Sequence, residues 1–581
     1  MSDSSYWQRK IAGPGLGRRT FLRSAAVTGV GAAAFLAGCK SNAPSTPAAG
    51  GGAAGGAASA SSGPSLGVFQ VPEGKRGGTL VDVGIDPTTG WDSHTTSAQQ
   101  TTQNLEPLHI KLIRHDYRKN FKAGDDTLIG ELAEKWESPD PLTYNFTLRK
   151  GINWPDQEPM KGRPITAQDV KYAFDACMSP TAQVQEYVFG NIASTTAVDD
   201  GQFQIKLKQP NLFFPSDIDS LNTMIVPKGI YEWAGGTMKD PAKVRGGGPW
   251  LLEEYRAGSL VKMKPNEAYR KVFGVPYADN FNVAIVATGA PRLTAFVAKN
   301  VMFFAPAAGQ LETAKKSRPD AKVIEDAYPS SGGTSISIKQ IDNKPFDDVR
   351  IRRAMSMAID RDGWGKTFQV PYKMESGPIS WGYPTWKLDP AKLPAETAKL
   401  VKYDVAEAKK LLDASGFKQP GEILMHYYPY SPDYAGWSQF LLDSFSKIGM
   451  KVTPKVYEYN NWLGTAFIGK YTGLMFGPDA SIDRPSPMLC DRLRKGSARN
   501  HSFIEDATTQ KMLADFWGAK SIADAKPIAE AVQARSISEV FSIYSPMGVA
   551  PKLWDPAVQN YNGQQAFNHQ FEYKNAFYWL A

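Results

Sequence analysis

The chain has 581 residues, 42% hydrophobic and 21% charged, which suits a globular protein of two or three domains with a large core. Its 66 basic and 58 acidic residues give a formal charge of +8, but residues 1–38 hold five basic residues and one acidic, which leaves +4 for the rest. So small an excess, with no long Lys/Arg run, gives no case for nucleic acid as a partner.

Residues 1–38 read as an export signal. Arg18-Arg19-Thr20-Phe21-Leu22-Arg23 resembles the twin-arginine motif. The apolar run from Ala25 to Gly38 is shorter than the ~20 residues that a membrane span needs, and suits a signal peptide. Leu36-Ala37-Gly38-Cys39 resembles a lipobox, so Cys39 is expected to be the lipidated first residue of the mature chain. From Ser41 to Leu66 the sequence is dominated by Ala, Gly, Ser and Pro and carries no charge, the composition of a flexible tether. Gly63-Pro64-Ser65-Leu66-Gly67 fits a serine-hydrolase string, but no strand precedes it and no helix follows.

A short strand is predicted at Gly77–Val83, followed by a polar loop through Asp86, Trp91, Asp92 and His94. Further on, Leu142, Tyr144, Phe146 and Leu148 alternate with polar residues, predicting a strand with one buried face after a Ser138–Pro141 turn. Thr166 is placed to cap a helix with Asp169 as its capping-box partner, and Val170, Ala173, Phe174 and Cys177 share that helix's buried face. The glycines of Gly246-Gly247-Gly248-Pro249-Trp250 are expected to supply backbone angles closed to other residues. Past residue 328 the pattern is α/β. Asp347 and Asp348 are both placed to cap a helix over 349–361, with Ile351, Ala354, Met355 and Ala358 inward and Arg350, Arg352, Arg353 and Ser356 on a solvated face. Asp404 and Gly416 bracket another helix, and the strand at Ile423, Met425 and Tyr427 precedes a helix ending at Gly449, an order that argues for parallel pairing.

Leu132-Ala133-Glu134-Lys135-Trp136, Leu148-Arg149-Lys150-Gly151, Trp154 and Thr166–Phe174 stand in order within one block. The block resembles the signature of solute-binding protein family 5, the extracytoplasmic receptors of peptide- and nickel-type ABC importers. The strings PFDDVRIRRAMSMAIDR and YDVAEAKKLLDASGF are similar to the family's second lobe. The resemblance implies an α/β, bilobed periplasmic-binding-protein-like fold of type II, with two α/β lobes plus a smaller α+β insertion domain. Lobe 1 would comprise 77–120, 225–328 and 542–581, the insertion 121–224 and lobe 2 329–541, after a signal peptide (1–38) and a lipidated tether (39–76). Closure is expected about hinges near Tyr328 and Phe541.

The resemblance also implies a ligand site. Gly473–Asp479 stands where the family's cleft strand enters, so Leu474, Met475, Phe476 and Gly477 would offer backbone groups to a peptide and Asp479 would pair with its ammonium. Phe476 departs from the family's usual Trp. Trp381, Tyr383 and Trp386 in a Gly/Pro-rich loop are candidate cleft aromatics, and Thr96 and Ser97 weaker ones. The expected partners are a short peptide or other small molecule, an ABC permease with its ATPase, and the membrane through the lipid. A monomer is expected. A receptor for a neutral or sugar-like solute, and a sensor not coupled to transport, are the alternatives.

No catalytic role is expected, since the six histidines show no paired spacing and no nucleophile constellation is visible. Without a CxxC pair a cysteine-based metal site is not expected, nothing in the histidine pattern supports another metal site, and no cofactor is expected. Cys177 and Cys490 read as buried free thiols unless the fold brings them together.

Overall fold

The computed structural model describes residues 71–87, 90–95, 99–116, 127–179, 182, 186–220, 222–307, 309–325, 334–368, 372–373, 377–379, 383–429, 432–478, 485–497, 499–545, 547–548, 551–563 and 570–581. The signal peptide, the Cys39 site and the 41–66 tether lie outside them, as does the hinge expected near Tyr328.

After the first strand, β1 (Thr79–Gly84), the signature block folds as strands β2 (Ala133–Asp140) and β3 (Thr143–Leu148), helix α1 (Ala167–Met178), and strands β4 (Ile192–Ala197) and β5 (Gln202–Leu207). The four strands β2–β5 form an antiparallel sheet in the order β2-β3-β5-β4. Thr166 and Asp169 make the reciprocal capping box, and Val170, Ala173, Phe174 and Cys177 are buried as their spacing requires. Asp169 has further work at the helix start. Its carboxylate also accepts from Arg163 Nη2 (2.6 Å), Trp154 Nε1 (3.2 Å) and the Lys228 amide (2.7 Å).

The expected turn at Ser138–Pro141 is displaced. β2 runs through Ser138 and Pro139 with a bulge, and Asp140 Oδ1 accepts from the Leu142 amide at 2.8 Å. The reversal therefore falls on Pro141-Leu142, so Leu142 is exposed rather than inward.

β1 continues in a sheet with β6 (Trp250–Arg256), β7 (Leu260–Pro265) and β8 (Asn280–Ile285), ordered β1-β8-β7-β6, with β1 and β8 parallel. The glycines before Trp250 serve a different purpose from the one expected. None has a positive φ. They are small because other backbone lies against them: a Cβ on Gly248 would come within 2.6 Å of the His109 nitrogen, and one on Gly246 would overlap the Leu108 carbonyl. Short strands β9 (Phe303–Phe304) and β10 (Lys322–Ile324) follow.

The second lobe is built on β11 (Thr334–Ile338), helices α2 (Val349–Met357) and α3 (Val405–Ala414), β12 (Ile423–Tyr427), α4 (Pro432–Ser446), β13 (Val452–Val456), β14 (Leu474–Pro478), α5 (Ala507–Trp517), α6 (Ile522–Ser538) and β15 (Ser542–Tyr544). Its five-stranded sheet has the order β13-β12-β14-β11-β15. β12 is parallel to β13 and β14, as the strand–helix–strand spacing predicts, and β11 is antiparallel to both its neighbours. Ile336, Ile338, Met425, Leu474 and Phe476 line one face and pack on Met355 and Phe445. Asp348 and Asp404 cap α2 and α3 as expected, accepting from Arg350 N (2.8 Å) and Glu407 N (2.9 Å). Gly416 follows α3 at φ +70°, the left-handed conformation that ends helices.

Three expectations are corrected here. The helix at 349 stops at Met357, and a separate helix covers Arg361–Phe368. Arg352 and Ser356 are buried, not solvated. Arg352 donates to the Phe346, Asp347 and Glu539 carbonyls, and Ser356 to the Leu400 carbonyl. Finally, Ser542–Tyr544 pairs with Ser335–Ser337 as an edge strand of the second-lobe sheet, so the second lobe does not end at residue 541. The chain next contributes β16 (Lys552–Trp554), set between β9 and β10. Cys177 and Cys490 are both buried and unbridged. The fold is thus a mixed α/β, bilobed binding-protein fold of type II.

Candidate ligand-binding cleft

Parallel strands direct ligands to the crevice beyond their carboxyl ends. In the second lobe those ends are Tyr427 of β12 and Pro478 of β14. Leu474, Met475 and Phe476 lie between β12 and β11, paired with strands on both sides. The β12 ladder stops at Phe476, whereas β11 continues opposite Gly477 and Pro478. The expectation that the whole Leu474–Gly477 backbone faces a ligand therefore narrows to Gly477 and the residues after it, because the sheet already engages the three residues before.

Side chains sort by the same alternation. Leu474 and Phe476 are buried, and Phe476 meets the rings of Tyr434 (5.6 Å) and Tyr427 (6.3 Å). Met475 and Gly477 face the other way, in register with Ser337 and Ser335. Gly477 has a steric reason to be glycine: a Cβ there would stand 3.1 Å from the ring of Trp462. Met475 packs with Trp462 and Tyr471. His426 shares this face by register, and its Nδ1 is 2.8 Å from the Tyr457 hydroxyl. Burial, helped by the charge of Lys455, pushes His426 down to about 4.

Tyr383 is 1% exposed and packs with Trp386, Phe213 and Leu489 in a core cluster, so it lines no open surface. Asp479, Trp381, Thr96 and Ser97 lie outside the described residues.

The first lobe contributes a buried polar loop. Asp92 Oδ1 accepts from the His94 amide (3.0 Å) and the Tyr231 hydroxyl (2.9 Å), while His94 Nε2 lies 3.0 Å from the Met224 carbonyl. On β1, burial raises Asp82 to about 6, opposed by the amide of Val83 and by Lys552 and Arg292.

Sequence reasoning missed the largest polar feature. Arg114 donates to Glu131, to Glu106 and to the His109 carbonyl (2.6 Å), and lies 4.0 Å from the Tyr573 ring. Tyr269 joins Glu131 (3.0 Å) to Tyr573 (2.9 Å). Lys111 Nζ and His115 Nδ1 bond Asp219 at 3.0 and 2.8 Å. Every member is buried. Burial works to lower Arg114, but Glu106 and Glu131 outweigh it and hold the guanidinium well above its usual range. The only signal in the sequence was charge within an apolar stretch, HIKLIRH at 109–115.

Among the described residues no three His, Cys, Asp or Glu side chains are grouped to hold a metal, and no helix is long and apolar enough to cross a membrane.

The profile of bacterial extracellular solute-binding proteins, family 5 (middle region), matches residues 127–500, well over half of the chain. This chain belongs to that family. Family members are solute-binding receptors rather than enzymes. The dipeptide-binding protein of Escherichia coli (strain K12) is 27% identical over 412 residues, covering 66% of this chain and 72% of that protein. Among solved structures, the oligopeptide-binding protein AppA from Bacillus subtilis, in complex with a nonapeptide, superposes with a TM-score of 0.72 at 19% identity. It covers 88% of this chain and 100% of that one. AgaA from A. tumefacien R10, in complex with agropinic acid, gives 0.74 at 18% identity over 87% and 99% of the two chains.

Proposed function

We propose that this chain is a lipid-anchored receptor on the outer face of the cytoplasmic membrane. It captures a short peptide, or another amine-bearing solute, between its lobes and delivers it to an ABC permease driven by an ATPase. The observation that carries the reading is the family membership together with curated relatives whose names are di-, tri- and oligopeptide-binding proteins. The end of β14 supports it, since its β12-side edge has no strand partner at Gly477 and Pro478 among the described residues, and an acid, Asp479, comes next in sequence. Main-chain bonding there would be indifferent to a peptide's side chains, and the carboxylate would hold its ammonium. For the lobes we adopt 77–120 and 225–328 with the C-terminal stretch as lobe 1, 121–224 as the insertion and the stretch from 329 through Tyr544 as lobe 2.

Calorimetry with a pool of di- to pentapeptides tests the ligand class. Binding is expected, and Asp479→Asn should weaken it by ~3–5 kcal/mol if the ammonium is enclosed, because one partner of a buried charge pair is then left alone. No heat from the pool, or an unchanged affinity in Asp479→Asn, sinks the peptide reading. A neutral or sugar-like solute is the second reading, since the same fold in AgaA holds agropinic acid and is not restricted to peptides. For the anchor, Cys39→Ala should release the exported protein from the membrane fraction, since stable anchoring takes two acyl signals or more. Undiminished membrane association of that variant would refute the lipid site.

A further inference from the structure

The insertion meets the second lobe in a contact that neither the ligand site nor the chain crossings require. Adjacent residues of the 211–219 segment are divided between two cores. Phe214 and Ile218 pack with the insertion sheet, whereas Leu212 and Phe213 belong with Trp386, Leu489, Phe516 and Trp517 of the second lobe. Phe213 stacks on Phe516 (4.7 Å) and meets Trp386 edge-on (5.5 Å). The Leu212 amide donates to the Trp517 carbonyl at 2.9 Å. Asp217 Oδ2 accepts from Asn211 Nδ2 and from Ser486 Oγ, each at 2.9 Å, and Ser486 Oγ in turn accepts from Trp517 Nε1 at 2.9 Å. Phe213 is 5% exposed, and Asp217 and Ser486 are 0%. On the other side the segment is held just as firmly, through Asp219 to Lys111 and His115.

We infer that this seat is a non-covalent pivot, which stays engaged while the cleft opens and closes. The inference rests on the receptor reading, since an empty receptor must open to admit its solute. Pulling Phe213 out would by itself bias the empty protein towards closure on the order of 10–100-fold, and would break the buried bond between Asp217 and Ser486 as well. A contact that loaded the closed state so heavily would impede loading. One engaged in both states cancels from the equilibrium and only guides it. Its position agrees. Phe541, next to β15, where the chain leaves the second-lobe sheet, shares the cluster that holds Phe213. Rotation about this corner can then open the carboxyl ends of β12 and β14 while the seat stays shut.

The test compares Phe213→Ala with the wild type, both ligand-free, by small-angle scattering, melting temperature and hydrogen exchange. A pivot predicts a lower melting temperature, an unchanged radius of gyration, and a Leu212 amide in the wild type as protected as those of β14. A larger radius of gyration in the variant, or rapid exchange at Leu212, would make the contact a closure latch and overturn the proposal. Should Phe213→Ala fail to fold, Ser486→Ala asks the same question with a smaller change. With the peptide pool, affinity should stay within about twofold of wild type, whereas a latch would weaken it on the order of 10–100-fold. If the pool binds neither protein, the peptide reading fails, and the ligand-free measurements still decide the pivot.

Discussion

The two lobes are stabilised by different means. The second lobe is built on a five-stranded sheet whose inner face is Ile336, Ile338, Met425, Leu474 and Phe476, so the packing at that face is apolar. At the heart of the first lobe and its insertion lies the ionic network of Arg114, Glu106, Glu131, Lys111 and Asp219, joined by Tyr269 and Tyr573. An apolar centre tolerates small changes in shape, because burial is non-directional and neighbours can relax. A buried ionic centre is all-or-none: satisfied it fixes one arrangement, and with one member gone it leaves charge without water or partner. The difference follows from chain order. The second-lobe sheet forms from one stretch of chain, whereas the first lobe must gather segments as far apart as Tyr269 and Tyr573, 304 residues, and directional bonds specify such a meeting.

The sharpest way to break the comparison is to remove one group from each centre. Arg114→Met should destabilise the protein by ~3–5 kcal/mol, because Glu106 and Glu131 each lose their guanidinium partner in a buried site. Met425→Ala in the second lobe should lose roughly 2–5 kcal/mol through a cavity. Denaturant unfolding reads both, and the kinds of loss are separable: Glu131→Gln added to Arg114→Met should recover part of the first, while no polar change rescues the second. Additive losses in that double variant would mean that the charges do not act as a unit.

Acid should divide the lobes next. Burial holds His426 at about 4 and His501 at about 3 in the second lobe, and His109 at about 4 in the first. With folded values below the usual 6.5, these histidines stabilise the native state above that pH, and the contribution is lost as pH falls towards 4, because the unfolded chain takes up protons first. Asp82 has the opposite sign. Raised to about 6, it contributes stability that is present below its usual 3.8 and lost as pH rises through 6. The first lobe thus carries a partial offset that the second lacks. Hydrogen exchange at pH 7 and at pH 4.5 should show the larger loss of protection in β12 and β14. Equal losses in both lobes would dissolve the distinction.

The smallest effect lies at a helix end. Asp404→Ala removes the bond to Glu407 N and should cost about 1 kcal/mol, confined to α3. A loss several times larger would show that Asp404 does more than cap.

The same contrast explains what the sequence disclosed. The Thr166–Asp169 capping box and the inward stripe of α1 were legible because each rests on residues a few positions apart, and the parallel β12–β13 pair because one helix joins two consecutive strands. Arg352 was misread for a reason of the same kind. Periodicity set it off the apolar stripe of α2, and nothing local announces the Glu539 and Val540 carbonyls that draw it inward. The glycines before Trp250 revealed a tight passage but not its cause, since the backbone at Leu108 and His109 comes from over a hundred residues earlier. At the cleft, the strand was readable from its resemblance to the family's cleft strand. Which of its backbone groups stay free depends on where β12 ends, and that is a property of the assembled sheet.

One edge of that sheet bears on how copies of the protein treat one another. β13 is outermost, and an open strand edge invites a second molecule to extend the sheet. Here Pro454 has no amide to give to such an extension, and the exposed Lys455 would set a charge beside the added strand. Crowded copies should therefore slide past one another along this edge instead of stacking into filaments.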